Sequence, residues 1–77
     1  MTFKKISNGA IIEYNNGYTV KLRLEGDKLR IREELNGRPL SDNVFYLSAA
    51  QSAQLRELLK KANNADELMG ALRTVFA

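Results

Sequence analysis

Between Tyr18 and Leu35 the chain alternates apolar and charged residues twice in succession, as Tyr18-Thr-Val-Lys-Leu-Arg-Leu24 and then Lys28-Leu-Arg-Ile-Arg32. Successive side chains of a β-strand point to opposite faces, so a period of two is a strand pattern and does not fit a helix. Val20, Leu22, Leu24, Leu29 and Ile31 fall on one face; Lys21, Arg23, Lys28, Arg30 and Arg32 fall on the other. The apolar face needs a second layer to cover it. The other face reads as a row of cations, with the nearby acids Glu25 and Asp27 assigned to the turn between the strands. Solubility needs only a polar face. A face of one sign points to a polyanion, and nucleic acid is the commonest one.

Turn residues punctuate the rest of the first half. Ser7-Asn8-Gly9 ends a short run at Phe3–Ile6, and Asn15-Asn16-Gly17 separates Ala10–Tyr14 from the strand at Tyr18. Asn-Gly is the dipeptide of a type I′ hairpin turn, in which both central residues take positive φ. Asn36-Gly37-Arg38-Pro39 reads as a break, followed by a loop through Asn43 and a last short strand over Val44–Leu47. The expected sheet is a four-stranded antiparallel, curved meander.

The period then lengthens. Ser48 with Gln51 three residues on is a capping box, and Gln51, Leu55, Leu58, Leu59 and Ala62 share one face at helical spacing. Glu57 and Lys61 are placed to pair at i,i+4. Asn64 and Glu67 repeat the cap, opening a second stripe of Leu68, Met69, Leu72, Val75 and Phe76. The fold class is therefore α+β: the meander followed by one or two C-terminal helices packed on its apolar face, with residues 1–77 as a single domain.

With 77 residues and no cysteine, the chain has a thin core and no disulfide to staple it. Small unstapled domains commonly gain stability by association, so a homodimer is expected. The absence of cysteine and histidine removes thiol chemistry and the usual zinc ligands. No apolar run approaches the ~20 residues of a membrane span, and the first residues lack the apolar segment of a signal peptide. A cytoplasmic protein with no membrane partner is expected.

Catalysis is not expected. Glu33-Glu34 is the only adjacent acid pair outside the helices, and neighbours on a strand face opposite ways, so they cannot share a proton or a metal ion; Asp66-Glu67 sits at a helix start, where acids favour the macrodipole. Gly26 and Gly37 are lone turn glycines without a phosphate-loop pattern. No cofactor or metal is called for. The basic ribbon suits binding instead: Lys and Arg can follow a phosphate backbone, and exposed aromatic rings can stack on unpaired bases. Tyr14, Tyr18, Phe45 and Tyr46 are the available rings, and Tyr14 and Tyr46 are the candidates for stacking.

Leu29-Arg-Ile-Arg-Glu33, then a loop, then Phe45-Tyr-Leu-Ser-Ala-Ala-Gln-Ser-Ala-Gln-Leu-Arg-Glu57 resembles the single-stranded-DNA-binding domain of the transcriptional coactivator called positive cofactor four. The match runs over Tyr18–Leu68 and is densest at Ile31-Arg32-Glu33 and Leu47–Glu57. The small size suits a stand-alone bacterial or phage-encoded member. The resemblance implies a curved four-stranded sheet backed by a helix. It also implies a homodimer whose ribbons hold single-stranded or unwound DNA. Arg32 falls on the family's strand arginine, Lys21 and Arg23 on the basic stretch before it, and Lys28 and Arg30 on the facing strand. Two departures stand out. Glu34-Leu35 replaces the aromatic that often follows the Arg-Glu pair, and Arg38 is the only cation of a loop that is usually rich in them.

The expected function is sequence-tolerant binding of single-stranded DNA in replication, recombination or transcription, through Lys21, Arg23, Lys28, Arg30, Arg32, Arg38, Tyr14 and Tyr46. An RNA strand is a close variant, since phosphate and stacking contacts do not distinguish sugars. The competing expectation is a protein-interaction module that docks a replication or transcription partner through its C-terminal helices.

Overall fold

The structure, a computed structural model, describes all 77 residues. Five antiparallel strands form one open sheet in chain order: β1 (Thr2–Ile6), β2 (Gly9–Glu13), β3 (Tyr18–Glu25), β4 (Lys28–Leu35) and β5 (Arg38–Tyr46). Two helices follow, α1 (Ala49–Lys61) and α2 (Ala65–Phe76). The class is α+β, but the sheet has one strand more than the sequence pattern indicated. β1 is a full member, pairing from Thr2↔Glu13 to Ile6↔Gly9.

β5 is the larger correction. Residues 38–43, expected as a loop, continue the strand, so that β5 runs for nine residues. Pro39, read as a breaker, is accommodated because β5 is an edge strand, where a missing N–H costs the sheet little. The register also slips between Glu33 and Glu34. Glu33 faces Ser41 and Glu34 faces Pro39, which leaves Leu40 as the extra residue of a bulge.

The turns exchange roles. At Asn15-Asn16-Gly17 only Gly17 has positive φ, while Asn36 and Gly37 take φ of 52° and 82°. The type I′ hairpin is therefore Asn36-Gly37, closed by the Leu35↔Arg38 pair. The β2–β3 connection is longer, with the Tyr18 carbonyl accepting from Tyr14 N at 2.8 Å and the Tyr14 carbonyl from Gly17 N at 3.3 Å. Asn36 N donates to the Gly17 carbonyl at 2.9 Å, tying the two hairpin ends together.

Both helix caps form as the sequence indicates. Ser48 Oγ accepts from Gln51 N at 3.1 Å while Gln51 Oε1 accepts from Ser48 N at 3.0 Å. Asn64 Oδ1 accepts from Glu67 N at 2.8 Å, and Glu67 reaches back to Asn63 N. On α1, Glu57 pairs with Lys60 at 3.4 Å rather than with the expected Lys61. Leu55 and Leu59 of α1, Ala62 at its C-terminal cap, and Leu68, Ala71 and Val75 of α2 close over Ala10, Ile12, Leu22, Leu24 and Leu29 of the sheet. Leu29 and Leu55 are wholly buried. At ~2 kcal/mol for each buried Leu or Val side chain, this one-sided core is what fixes the sheet's orientation. Both helices lie on the apolar face, so the opposite face is open.

Candidate nucleic-acid interface on the open sheet face

Strand register decides what stands beside what on the open face. Lys21 pairs directly with Arg32, Arg23 with Arg30, and Glu25 with Lys28. Two of these pairs set like charges opposite each other, which destabilises a sheet. The side chains of Lys21, Arg30 and Arg32 are 40–50% exposed, so the face is wet and its charges are accessible. Five of the eight expected site residues, Lys21, Arg23, Lys28, Arg30 and Arg32, are thereby brought together.

The face does not carry one sign. Glu34 shares the parity of Arg32 and lies between two cations, with Lys21 Nζ at 3.2 Å and Arg32 Nε at 2.7 Å. Glu25, assigned to the turn from sequence, is the last residue of β3 and meets Arg30 at 3.3 Å. Asp42 of β5 stands 3.8 Å from Arg30 and 4.0 Å from Arg32. Five cations less three carboxylates leave the ribbon at +2. Lys4 and Glu13 extend the face and cancel. Arg23 has no carboxylate partner, nor does Lys28, whose Nζ lies 5.6 Å from the centre of the Tyr46 ring. The Lys21 ammonium holds the Glu34 carboxyl below the usual carboxylate range; burial opposes it, and Arg32 adds to the lowering. Glu34 is therefore ionised at neutral pH and partly masks both cations.

The other expected residues divide. Tyr46 is on this face and is the most exposed large apolar residue, at 77%. Tyr14 is not: its ring packs against Tyr18 at 5.4 Å, and Tyr18 belongs to the opposite face. There the Tyr18 and Ser41 hydroxyls both donate to the Glu33 carboxylate. Those hydrogen bonds, Ser41 first, lower the Glu33 pKa, and the same contact raises that of Tyr18 above its ordinary value. Arg38 is also apart, facing Leu35 beyond the bulge at the far end of the β4–β5 hairpin. Glu33 and Glu34 do point to opposite faces, as their adjacency requires.

Two residues that the sequence pattern left unassigned complete the face. Ile6 and Ile11 share the parity of Lys4 and Lys21 and line a concavity of about 360 Å³ with Lys21, Arg23, Arg30 and Arg32. Gly9 belongs beside them, where a Cβ would stand 2.0 Å from the Leu22 carbonyl oxygen, so the strands approach there as only glycine permits. The signal was present in the alternation of Gly9-Ala-Ile-Ile-Glu13, but it is read correctly only once β2 is registered on β3. Chemically, the arrangement offers guanidinium and ammonium groups to phosphates beside the apolar side chains of Ile6 and Ile11, with the Glu25 carboxylate on the same concavity.

No group of three or more His, Cys, Asp or Glu residues is placed to hold a metal ion. No helix is long and apolar enough to cross a membrane. Compared with protein families, curated proteins and solved structures, the chain matches none of them.

Proposed function

We propose that the chain binds single-stranded DNA on the open face of its sheet, as a homodimer and with little sequence preference, in replication, recombination or transcription. The observation that carries this reading is the pair of directly opposed cations, Lys21 with Arg32 and Arg23 with Arg30, beside the concavity floored by Ile6 and Ile11. Opposed like charges cost the free protein stability, and bound phosphates would relieve that cost. The apolar floor supports a preference for single strands, because only an unpaired base can turn its ring toward it. Tyr46, exposed beside Lys28, is the remaining stacking platform. Tyr14 and Arg38 have no part in this reading, since neither stands on the face that carries the cations.

The test is fluorescence anisotropy with a labelled strand of ~20 nucleotides, its duplex and the matching RNA, at low and moderate salt. The expected result is salt-sensitive binding that favours the single strand and is lost in Arg23→Glu/Arg30→Glu with the fold intact. Equal binding of duplex and single strand, or binding that survives the double substitution, would overturn the reading. If the folded chain binds no nucleic acid, the alternative gains: a module that docks a replication or transcription protein through α2, where Met69 and Phe76 are nearly half exposed.

A further inference from the structure

Exposed large apolar side chains are concentrated along one border of the molecule. Leu40, Val44, Phe45 and Tyr46 of β5 and Met69 and Phe76 of α2 are all exposed. Phe45 and Phe76 meet edge to face at 6.2 Å, so strand and helix form one continuous border. Phe76, Met69 and Leu72 also line an apolar groove of about 530 Å³ beside it. The strand half of this border is an unpaired sheet edge. Leu47 N donates to the Asp27 carbonyl, so along β5 the odd-numbered residues bond toward β4 and the N–H and C=O groups of Asp42, Val44 and Tyr46 point outward. A long, exposed apolar edge is a template for pairing with another chain. The opposite edge, β1, is five residues long and carries Lys4 and Lys5, the usual protection against such pairing.

We infer that this border is closed by a second copy of the chain, β5 pairing antiparallel with the partner's β5 about a two-fold axis at Val44 to give one ten-stranded sheet. Several features of the border fit this occupant. Val44 of each copy exchanges hydrogen bonds with the other, and Asp42 falls opposite the partner's Tyr46. Lys28 sits over the Tyr46 ring of its own chain without a carboxylate partner. The pairing therefore brings each Asp42 toward the partner's Lys28, and the seam is complementary in charge. About that axis the strand pairing runs from Asp42 to Tyr46, five residues at ~3.4 Å each or ~17 Å, and the apolar border of Met69 and Phe76 on α2 extends the contact toward the ~800 Å² per partner of a specific dimer. Directly opposed residues of antiparallel strands share a face, so both cation faces emerge on the same side. The two β4 strands then lie three strand spacings apart, or ~14 Å.

This inference rests on the dimeric reading above and names its interface, and association is measured without DNA so that the two can fail separately. Sedimentation equilibrium of the full chain is run over a roughly hundredfold range of concentration, on wild type, Val44→Pro and Phe76→Glu, with far-UV circular dichroism as the control for folding. Proline at 44 removes an N–H that the β4–β5 ladder does not use, so the monomer should tolerate it. The expected result is a dimer in wild type and at least tenfold weaker association in each folded variant. Phe76→Glu keeps the inference testable if the proline variant fails to fold. A wild type monomeric throughout, or a dimer as tight in the folded variants as in wild type, would overturn it.

Discussion

Glu34→Gln should strengthen DNA binding while weakening the fold. In the free protein this carboxylate accepts from Lys21 at 3.2 Å and Arg32 at 2.7 Å, so it competes with any phosphate for both cations. A phosphate held by either cation from its open side would lie ~6 Å from the carboxylate, a repulsion of ~0.7 kcal/mol in water and about twice that at the partly desolvated surface. Removing it is worth a threefold to tenfold gain in affinity at low salt. At physiological ionic strength the Debye length is ~8 Å, and the gain should fall to about twofold. The salt dependence carries a second signature. Each phosphate neutralised on a single strand contributes about −0.7 to the slope of log affinity against log salt. Freeing one or two cations should therefore steepen the slope by ~0.7 to ~1.4. The assay is anisotropy with a single strand of ~20 nucleotides over a salt series, with Glu57→Gln on α1 as a control that should change nothing. An unchanged or weaker affinity in a folded Glu34→Gln variant would refute the assignment of DNA to this face. A gain without a steeper slope would mean that Lys21 and Arg32 do not contact phosphate.

Further expectations follow from the core and from the opposite face. Leu29→Ala, at a wholly buried position in the central part of the sheet, should cost 2–5 kcal/mol in urea unfolding, because the strands on either side prevent collapse into the cavity. Glu33 and Glu34 both have carboxyl pKa values lower in the folded state than in the unfolded chain. Their contribution to stability is thus complete above the unfolded value of about 4.3 and is lost as pH falls through the folded values. The urea midpoint should drop from about pH 5 downward, and Glu33→Gln should flatten that acid limb. Tyr18 has the opposite sign: its pKa is raised by the Glu33 contact, so its contribution is present below pH ~10 and is lost as pH rises above that. Tyr18→Phe should therefore blunt the alkaline loss of stability.

Strand parity and helix starts, both set by neighbours along the chain, were legible in the residues, whereas the turn types were not. The period-two alternation of Tyr18–Arg32 specified two strands and the side to which each residue points, and every parity in that segment holds in the sheet. Ser48 with Gln51 and Asn64 with Glu67 specified both helix starts, because a cap is satisfied within a single turn. Tertiary structure decided the character of the open face. Asp42 reaches Arg30 and Arg32 only because β5 pairs with β4, and nothing along the chain argues for extending β5 through Pro39 until the edge position makes that proline harmless. The bulge at Glu33/Glu34 sets apart the end of β5 that carries Arg38, and the Tyr14–Tyr18 contact holds Tyr14 on the covered side. Charge on one strand can be read from parity alone. The net charge of a sheet face is a sum over strands, and only hydrogen-bonded register says which acids and bases are added together.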